Sequence, residues 1–248
     1  MILSLPTLPA NAQANLDAIH ERITKAARVA GRDSSSVRLL AVSKTFPATA
    51  IAEAAQAGQR AFGENYVQEA VAKMDELANA APSYDLEWHF IGPIQSNKTR
   101  QIAERFDWVQ SVDRIKIAER LSEHRPVHLP PINVLLQVNV SGEASKAGVL
   151  PDDLPQLASD VAGLPRVRLR GLMAIPAPES DVARQRIAFA NTKRLFEQLR
   201  AQLHLHSGGS QVDVLSIGMS ADLEAAIAEG STMVRVGTAI FGARARRS

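Results

Sequence analysis

From residue 37 onward, short apolar runs alternate with amphipathic segments, and this alternation restricts the fold more than any other feature of the chain. "VRLLAVS" precedes helical "ATAIAEAAQAG", "RAFG" precedes "YVQEAVAKMDELANA", and "LEWHFIG" precedes "NKTRQIAERF". The pattern continues through "WVQSV", "INVLLQVNV", "VRLRGLMAI" and "VDVLSIG", each followed by a helical stretch, and closes on "MVRVG". Eight strand candidates result, most of them apolar on both faces, which is the signature of a parallel sheet covered by helical crossovers. An open doubly wound sheet competes, but no G-x-G-x-x-G follows the first strand. The pattern therefore predicts the α/β class and a single (β/α)8 TIM barrel with an extra N-terminal helix. That helix is read from Leu16, Ile19, Ile23, Ala26 and Ala27 at helical spacing, closing on Gly31, within a leading segment over 1–36. No composition break divides 1–248, so one domain is expected, and 46% hydrophobic residues suffice for its core.

Composition removes several classes of function. With no cysteine, disulfides, thiolate nucleophiles and cysteine-bound zinc are excluded. A net charge of +2 lacks the concentrated field of a nucleic-acid binder, so no nucleic-acid partner is expected. "MILSLPTLPANAQ" does not read as a secretory signal, and no run of apolar residues is long enough to span a bilayer. The expected compartment is the cytoplasm, with no membrane partner. The terminal "ARARRS" reads as a solvated basic tail, and "HLH" at 204–206 as a surface loop without metal spacing.

In such barrels the active site lies at the C-terminal ends of the strands, and phosphate is commonly held by the loops after strands seven and eight. "GMSAD" after strand seven offers Gly218 for close backbone approach and Ser220 to cap a helix or donate to an anion. Gly237 and Thr238 after strand eight add an amide and a hydroxyl. Each loop alone also fits plain capping and turn making; together they favour an anion. Lys44, at the mouth of strand one, is either a solvated strand end or an amine facing that anion, as a Schiff base with a phosphorylated aldehyde requires. Pyridoxal phosphate is the obvious aldehyde. Arg235, inside strand eight, needs an acceptor, and a pyridine nitrogen would serve; an outward-facing surface arginine is the alternative. His89 reads as a hydrogen-bonded barrel histidine more readily than as a base. Glu64 fits equally a support for Lys44 or Asn65 and a helix cap.

Seven motifs, one per strand mouth and in order, carry a resemblance: "AVSKT", "FGENYVQEA", "WHFIGPIQSNK", "VNVSGEASKAG", "GLMAIP", "SIGMSADLEAAI" and "VRVGTAIFGAR". The chain resembles the pyridoxal-phosphate homeostasis protein family, a single barrel similar to the N-terminal domain of alanine racemase. The resemblance implies pyridoxal 5'-phosphate as cofactor, with Lys44 carrying it, Asn65 beside its ring and Arg235 at the pyridine nitrogen. It also implies a phosphate site of Ser220, Gly237 and Thr238, with the Met219 backbone nearby and Ser216 as a weaker carry-over. Phe46 replaces the second lysine frequent in "SKTKP", and Ile217 the usual methionine of "SMGMS". Family members are thought to bind and buffer the cofactor, which makes apoenzymes the expected recipients, and a monomer is expected. The alternative is a small amino-acid racemase, and a third reading is a cofactor-free barrel acting on a sugar phosphate. A racemase needs a second acid or base, and the sequence offers only Tyr66 and Tyr84 as tyrosines.

Overall fold

Strands β1 (Arg38–Val42), β2 (Ala61–Glu64), β3 (Glu87–Phe90) and β4 (Trp108–Val112) lie side by side in chain order. β5 (Ile132–Gln137), β6 (Val167–Met173), β7 (Val214–Met219) and β8 (Met233–Val236) continue the series, and β8 pairs with β1 to close the barrel. The computed structural model describes residues 12–80, 84–143, 146–177, 179–207 and 212–242. The expectations for the segment before Ala12 and for "ARARRS" lie outside the described residues.

Every strand pair is parallel, so each connection must return along the outside of the sheet. Helices make that return: α2 (Ala48–Gln56), α3 (Val67–Ala80), α4 (Thr99–Arg105), α5 (Ile115–His124), α6 (Leu154–Ala162), α7 (Val182–Ser207) and α8 (Leu223–Ala228). The leading helix α1 (Ala12–Val29) buries the five apolar positions that its spacing predicts, Leu16, Ile19, Ile23, Ala26 and Ala27. One α-helical element was not anticipated. A single turn, α9 (Thr238–Phe241), follows β8, with Gly237 at its N-cap and the Ile240 and Phe241 amides donating to Gly237 O.

Side chains on a strand alternate between faces, and here the two faces feed two separate cores. One apolar cluster lies between sheet and helices. A second, formed by Leu40, Ala61, Trp108, Leu135, Met173, Val214 and Met233, takes one residue from each strand except β3 and fills the barrel itself. The same period-two positions place His89, Gln110, Ser216 and Arg235 among the buried polar residues. A barrel interior with so many polar groups must satisfy them internally, since each unpaired one costs about 1–3 kcal/mol.

Candidate functional site

The turn after β1 is built on strain and held by a buried ion cluster. Thr45, next to Lys44, has φ of 69°, a left-handed conformation that is an outlier for a β-branched residue. The Phe46 amide donates to Ser43 O at 3.1 Å, closing a tight turn around Lys44 and Thr45. Glu69 accepts the Thr45 amide at 2.6 Å. Lys73 then ties the whole group together, donating to Ser43 O at 3.0 Å, Glu64 Oε1 at 2.8 Å and Glu69 Oε1 at 2.6 Å. The Ser43 hydroxyl also donates to Glu64 Oε1, at 2.7 Å. Glu64 thus supports the Lys44 turn and does not cap a helix. Burial raises the Glu64 pKa against the opposing pull of Lys73, and Glu64 Oε2 is buried without a partner.

Beside this turn stand the loops after β8 and β7, since β8 pairs with β1 and β7 with β8. Gly218 has φ of 91°, and a Cβ there would lie 2.5 Å from Ala226 Cβ. The missing side chain therefore admits helix α8 and not a ligand, which corrects the sequence reading. Ser220 does not cap α8 either, because the helix starts at Leu223 behind Asp222. The Asp222 carboxylate makes no side-chain cap bond and instead accepts the Met219 amide at 2.5 Å. Helix α1 pins the loop from outside: Arg22 bonds both oxygens of Glu224 and donates to Ser220 O at 3.0 Å. Asn15 of α1 donates to Ile240 O in α9 at 2.8 Å. The leading helix is thus a brace for both loops.

The same rim carries Asn65, just after β2, and Arg235, within β8. The loop after β3 presses on Asn65 so closely that a Cβ on Gly92 would sit 2.3 Å from Asn65 O, which only glycine allows. Asn65 Oδ1 is buried and has no partner. Arg235 faces inward, only 4% exposed. It donates to Ser216 O at 2.7 Å, Ser216 Oγ at 2.8 Å and Ala174 O at 3.0 Å. These acceptors are neutral, and burial lowers the guanidinium pKa to about 10, with Asp222 at longer range opposing.

A cavity of about 290 Å3 opens here, lined by Val42, Lys44, Asn65, Ile91, Met173, Ile175, Met219, Ser220, Ala221, Arg235, Gly237 and Thr238. Its size suits one small ring compound, near the lower bound of roughly 300 Å3 for ligand pockets. Of the residues singled out from sequence, Lys44, Asn65, Met219, Ser220, Arg235, Gly237 and Thr238 line it. Ser216 does not; fully buried, it stands behind Arg235. A wider cleft of about 510 Å3 adjoins through Asn65, Ile91, Ile175, Met219 and Ala221, and reaches Gln137 and Lys146. Sequence reasoning missed Lys73, Glu69, Arg22 and Gln110. Only Lys73 carried a signal, as a lysine four residues after Glu69 on an amphipathic helix. Among the described residues no cluster of His, Cys, Asp and Glu could hold a metal ion.

Residues 14–245 match the family described as alanine racemase, N-terminal domain. A curated relative from Pseudomonas aeruginosa, named pyridoxal phosphate homeostasis protein, is 60% identical over 230 residues, covering 93% of this chain and 94% of the relative. The chain belongs to the pyridoxal phosphate homeostasis protein family. Another member of the family, from Escherichia coli K12, is 54% identical over 237 residues, covering 93% of this chain and 95% of its own. Among solved structures, PipY of Synechococcus elongatus with PLP bound superposes with a TM-score of 0.79 at 37% identity, covering 93% of this chain and all of PipY, 100%.

Within the pyridoxal phosphate homeostasis family pattern, the two departures noted above now have a structural account. Phe46 packs on Phe241 of α9, ring centroids 5.2 Å apart, so it joins the Lys44 turn to the helix that starts at Thr238. An aromatic contact stands at this point of the rim. Ile217 is fully buried in the outer core, where an apolar exchange of similar volume is tolerated.

Proposed function

We propose that the protein binds pyridoxal 5'-phosphate at the barrel mouth, holds it as a Schiff base on Lys44 and serves as a reserve of the cofactor inside the cell. The observation that carries this reading is that Lys44 lines one small cavity together with Ser220, Gly237 and Thr238. The residues fit the group: a lysine, two hydroxyls and loop amides line one cavity with Asn65, whose buried Oδ1 is an acceptor that lacks a donor. When bound, the cofactor would supply an aldehyde carbon able to condense with the Lys44 amine, with loss of water. Ser220, Gly237 and Thr238 would hold the phosphate, and the Met219 amide, which now donates to Asp222, would join them only on leaving that carboxylate. Arg235 can only donate, so it suits a ring nitrogen that keeps its lone pair, and this weakens the cofactor as an electron sink.

The same cavity favours storage over turnover. Lys44 and Arg235 are the titratable side chains of its described lining, whereas a two-base racemase needs a second acid or base beside the reacting carbon. Tyr66 is exposed and Tyr84 packs against the outer core, and neither lines the cavity. We extend the reading to a cytoplasmic monomer that passes the cofactor to apoenzymes. No helix among the described residues is long and apolar enough to cross a membrane.

Borohydride reduction of protein incubated with pyridoxal phosphate, followed by peptide mass mapping, tests the central claim. A label on Lys44, lost in Lys44→Ala, supports it; a label elsewhere, or none, overturns it. Stereospecific turnover of alanine or serine that disappears in Lys44→Ala would move the assignment to the racemase. A colourless protein that takes up no pyridoxal phosphate and turns over a sugar phosphate would move it to the cofactor-free barrel. Reactivation of an apoenzyme and light scattering address recipients and assembly.

A further inference from the structure

Buried polar side chains form a continuous line along the inside of the barrel from Arg235 to the opposite end. Arg235 donates to Ser216 Oγ at 2.8 Å, Ser216 Oγ donates to Gln110 Oε1 at 2.7 Å, and Gln110 Nε2 meets His89 Nδ1 at 2.9 Å. His89 Nε2 meets Glu87 Oε1 at 2.6 Å. Glu87 is the first residue of β3 and lines a polar cleft of about 500 Å3 with Arg38, Asp107, Trp108 and Asn133 at the N-terminal ends of the strands. The line therefore runs from the cavity at one mouth of the barrel to a separate cleft at the other.

Its direction is dictated by its two ends. A guanidinium can only donate and a carboxylate can only accept. Because Glu87 accepts, His89 carries a proton on Nε2, and in the neutral ring that its complete burial favours this leaves a lone pair on Nδ1. That lone pair requires the Gln110 amide nitrogen, which turns Gln110 Oε1 toward Ser216. The serine hydroxyl must then donate to Gln110, and its lone pair is left for Arg235. Each link admits one orientation, and bonds aligned this way polarise one another. Packing enforces the geometry: His89 stacks on Trp108 with centroids 5.2 Å apart and planes 9° from parallel, and Gln110 also touches Met233 Sδ at 3.2 Å. Burial lowers the His89 pKa, in keeping with a neutral ring.

We propose that Gln110, His89 and Glu87 are positioning residues for Arg235: acting through Ser216, they fix the guanidinium at the cavity and make it respond to the charge of Glu87 at the far end of the barrel. The consequence for the cofactor rests on the function proposed above, whereas the chain itself can be read without it.

The test uses the full chain with 15N-labelled arginine and histidine, first without cofactor. Wild-type His89 is expected as the Nε2–H form. Gln110→Met cuts the chain and Glu87→Gln removes its terminal charge while keeping an acceptor. Both should shift the Arg235 guanidinium resonances and speed exchange of its protons by about 2- to 30-fold, the range expected for coupling through a packed network, with Gln110→Met the larger. Glu197→Gln, which removes a carboxylate that pairs with Arg200 on the outer helix α7, should leave Arg235 unmoved. Proton on Nδ1 of His89, unmoved Arg235 resonances in folded Glu87→Gln, or an equal shift in Glu197→Gln would each overturn the proposal. If Gln110→Met does not fold, Glu87→Gln decides, because its side chain is 31% exposed and the change is isosteric. Pyridoxal phosphate binding is then measured, with weakening of the same order expected in Glu87→Gln. Wild-type protein that binds none of it would refute the function proposed above and leave the resonance experiment to decide the chain.

Discussion

Replacing Lys73 with methionine removes one cation that three oxygens share, Ser43 O, Glu64 Oε1 and Glu69 Oε1. The Lys73 and Glu64 side chains are 7% and 0% exposed, so no water can take over, and Glu64 already has one oxygen unpaired. Breaking a buried pair on one side costs about 3–5 kcal/mol. Protonation of Glu64 is the escape, and loading a proton at pH 7 onto a group whose unfolded pKa is near 4.3 costs about 4 kcal/mol. The two routes agree on a deficit of about 4 kcal/mol, or a Tm lower by about 8–16 °C for a chain of this size. The sign with pH follows. A carboxyl whose folded pKa is raised destabilises the fold as pH climbs above the unfolded value, so the deficit should shrink to about 1 kcal/mol near pH 5. Urea titrations of wild type, Lys73→Met, Glu64→Gln and the double variant across pH 5–8 provide the measurement. The double variant should recover most of the loss, since neither charge remains. A deficit independent of pH, or a double variant worse than the sum of the singles, would refute the reasoning.

Gly218→Ala should lower stability by about 1–3 kcal/mol and loosen the Ser220 loop, because alanine meets both a φ of 91° and Ala226 Cβ at 2.5 Å; calorimetry and pyridoxal phosphate titration read the two effects, and an unchanged Tm would show that α8 moves aside freely. Glu87 gives the opposite pH signature to Glu64. Burial works to raise its carboxyl, but the hydrogen bond from His89 and the nearby Arg38 override this and hold it well below the usual carboxylate range. A depressed folded pKa contributes stability above the unfolded value near 4.3 that is lost as pH falls. The Tm gap between wild type and Glu87→Gln should therefore be widest at neutral pH and narrow below about pH 4; a gap that widens with acid would contradict the assignment.

Most of the architecture was legible because its signals are local. β4 falls on "WVQSV" as its apolar run predicts, and the buried face of α1 is the one its spacing draws. Lys44, Ser220, Arg235, Gly237 and Thr238 were found by their place at strand ends, a positional argument that holds once the barrel is assumed. Roles were less legible than places. Gly218 and Ser220 carry the residue types of an anion loop, yet Gly218 serves α8 and Ser220 caps nothing, because a glycine or serine satisfies a packing need as readily as a ligand. Ser216 was weighed as a ligand contact and lies behind Arg235 instead.

By itself the sequence determined that eight β/α units follow one helix and which loops share a rim, since strand and helix periods are written within ten or twenty consecutive residues. Only the tertiary structure decided the partners. Ser216 and Gln110 are 106 residues apart, Arg22 and Glu224 are 202 apart, and Lys73 lies 30 from the carbonyl it steadies beside Lys44. A charged or polar residue shows its type in the chain, but what satisfies it depends on which strands closure of the barrel brings face to face.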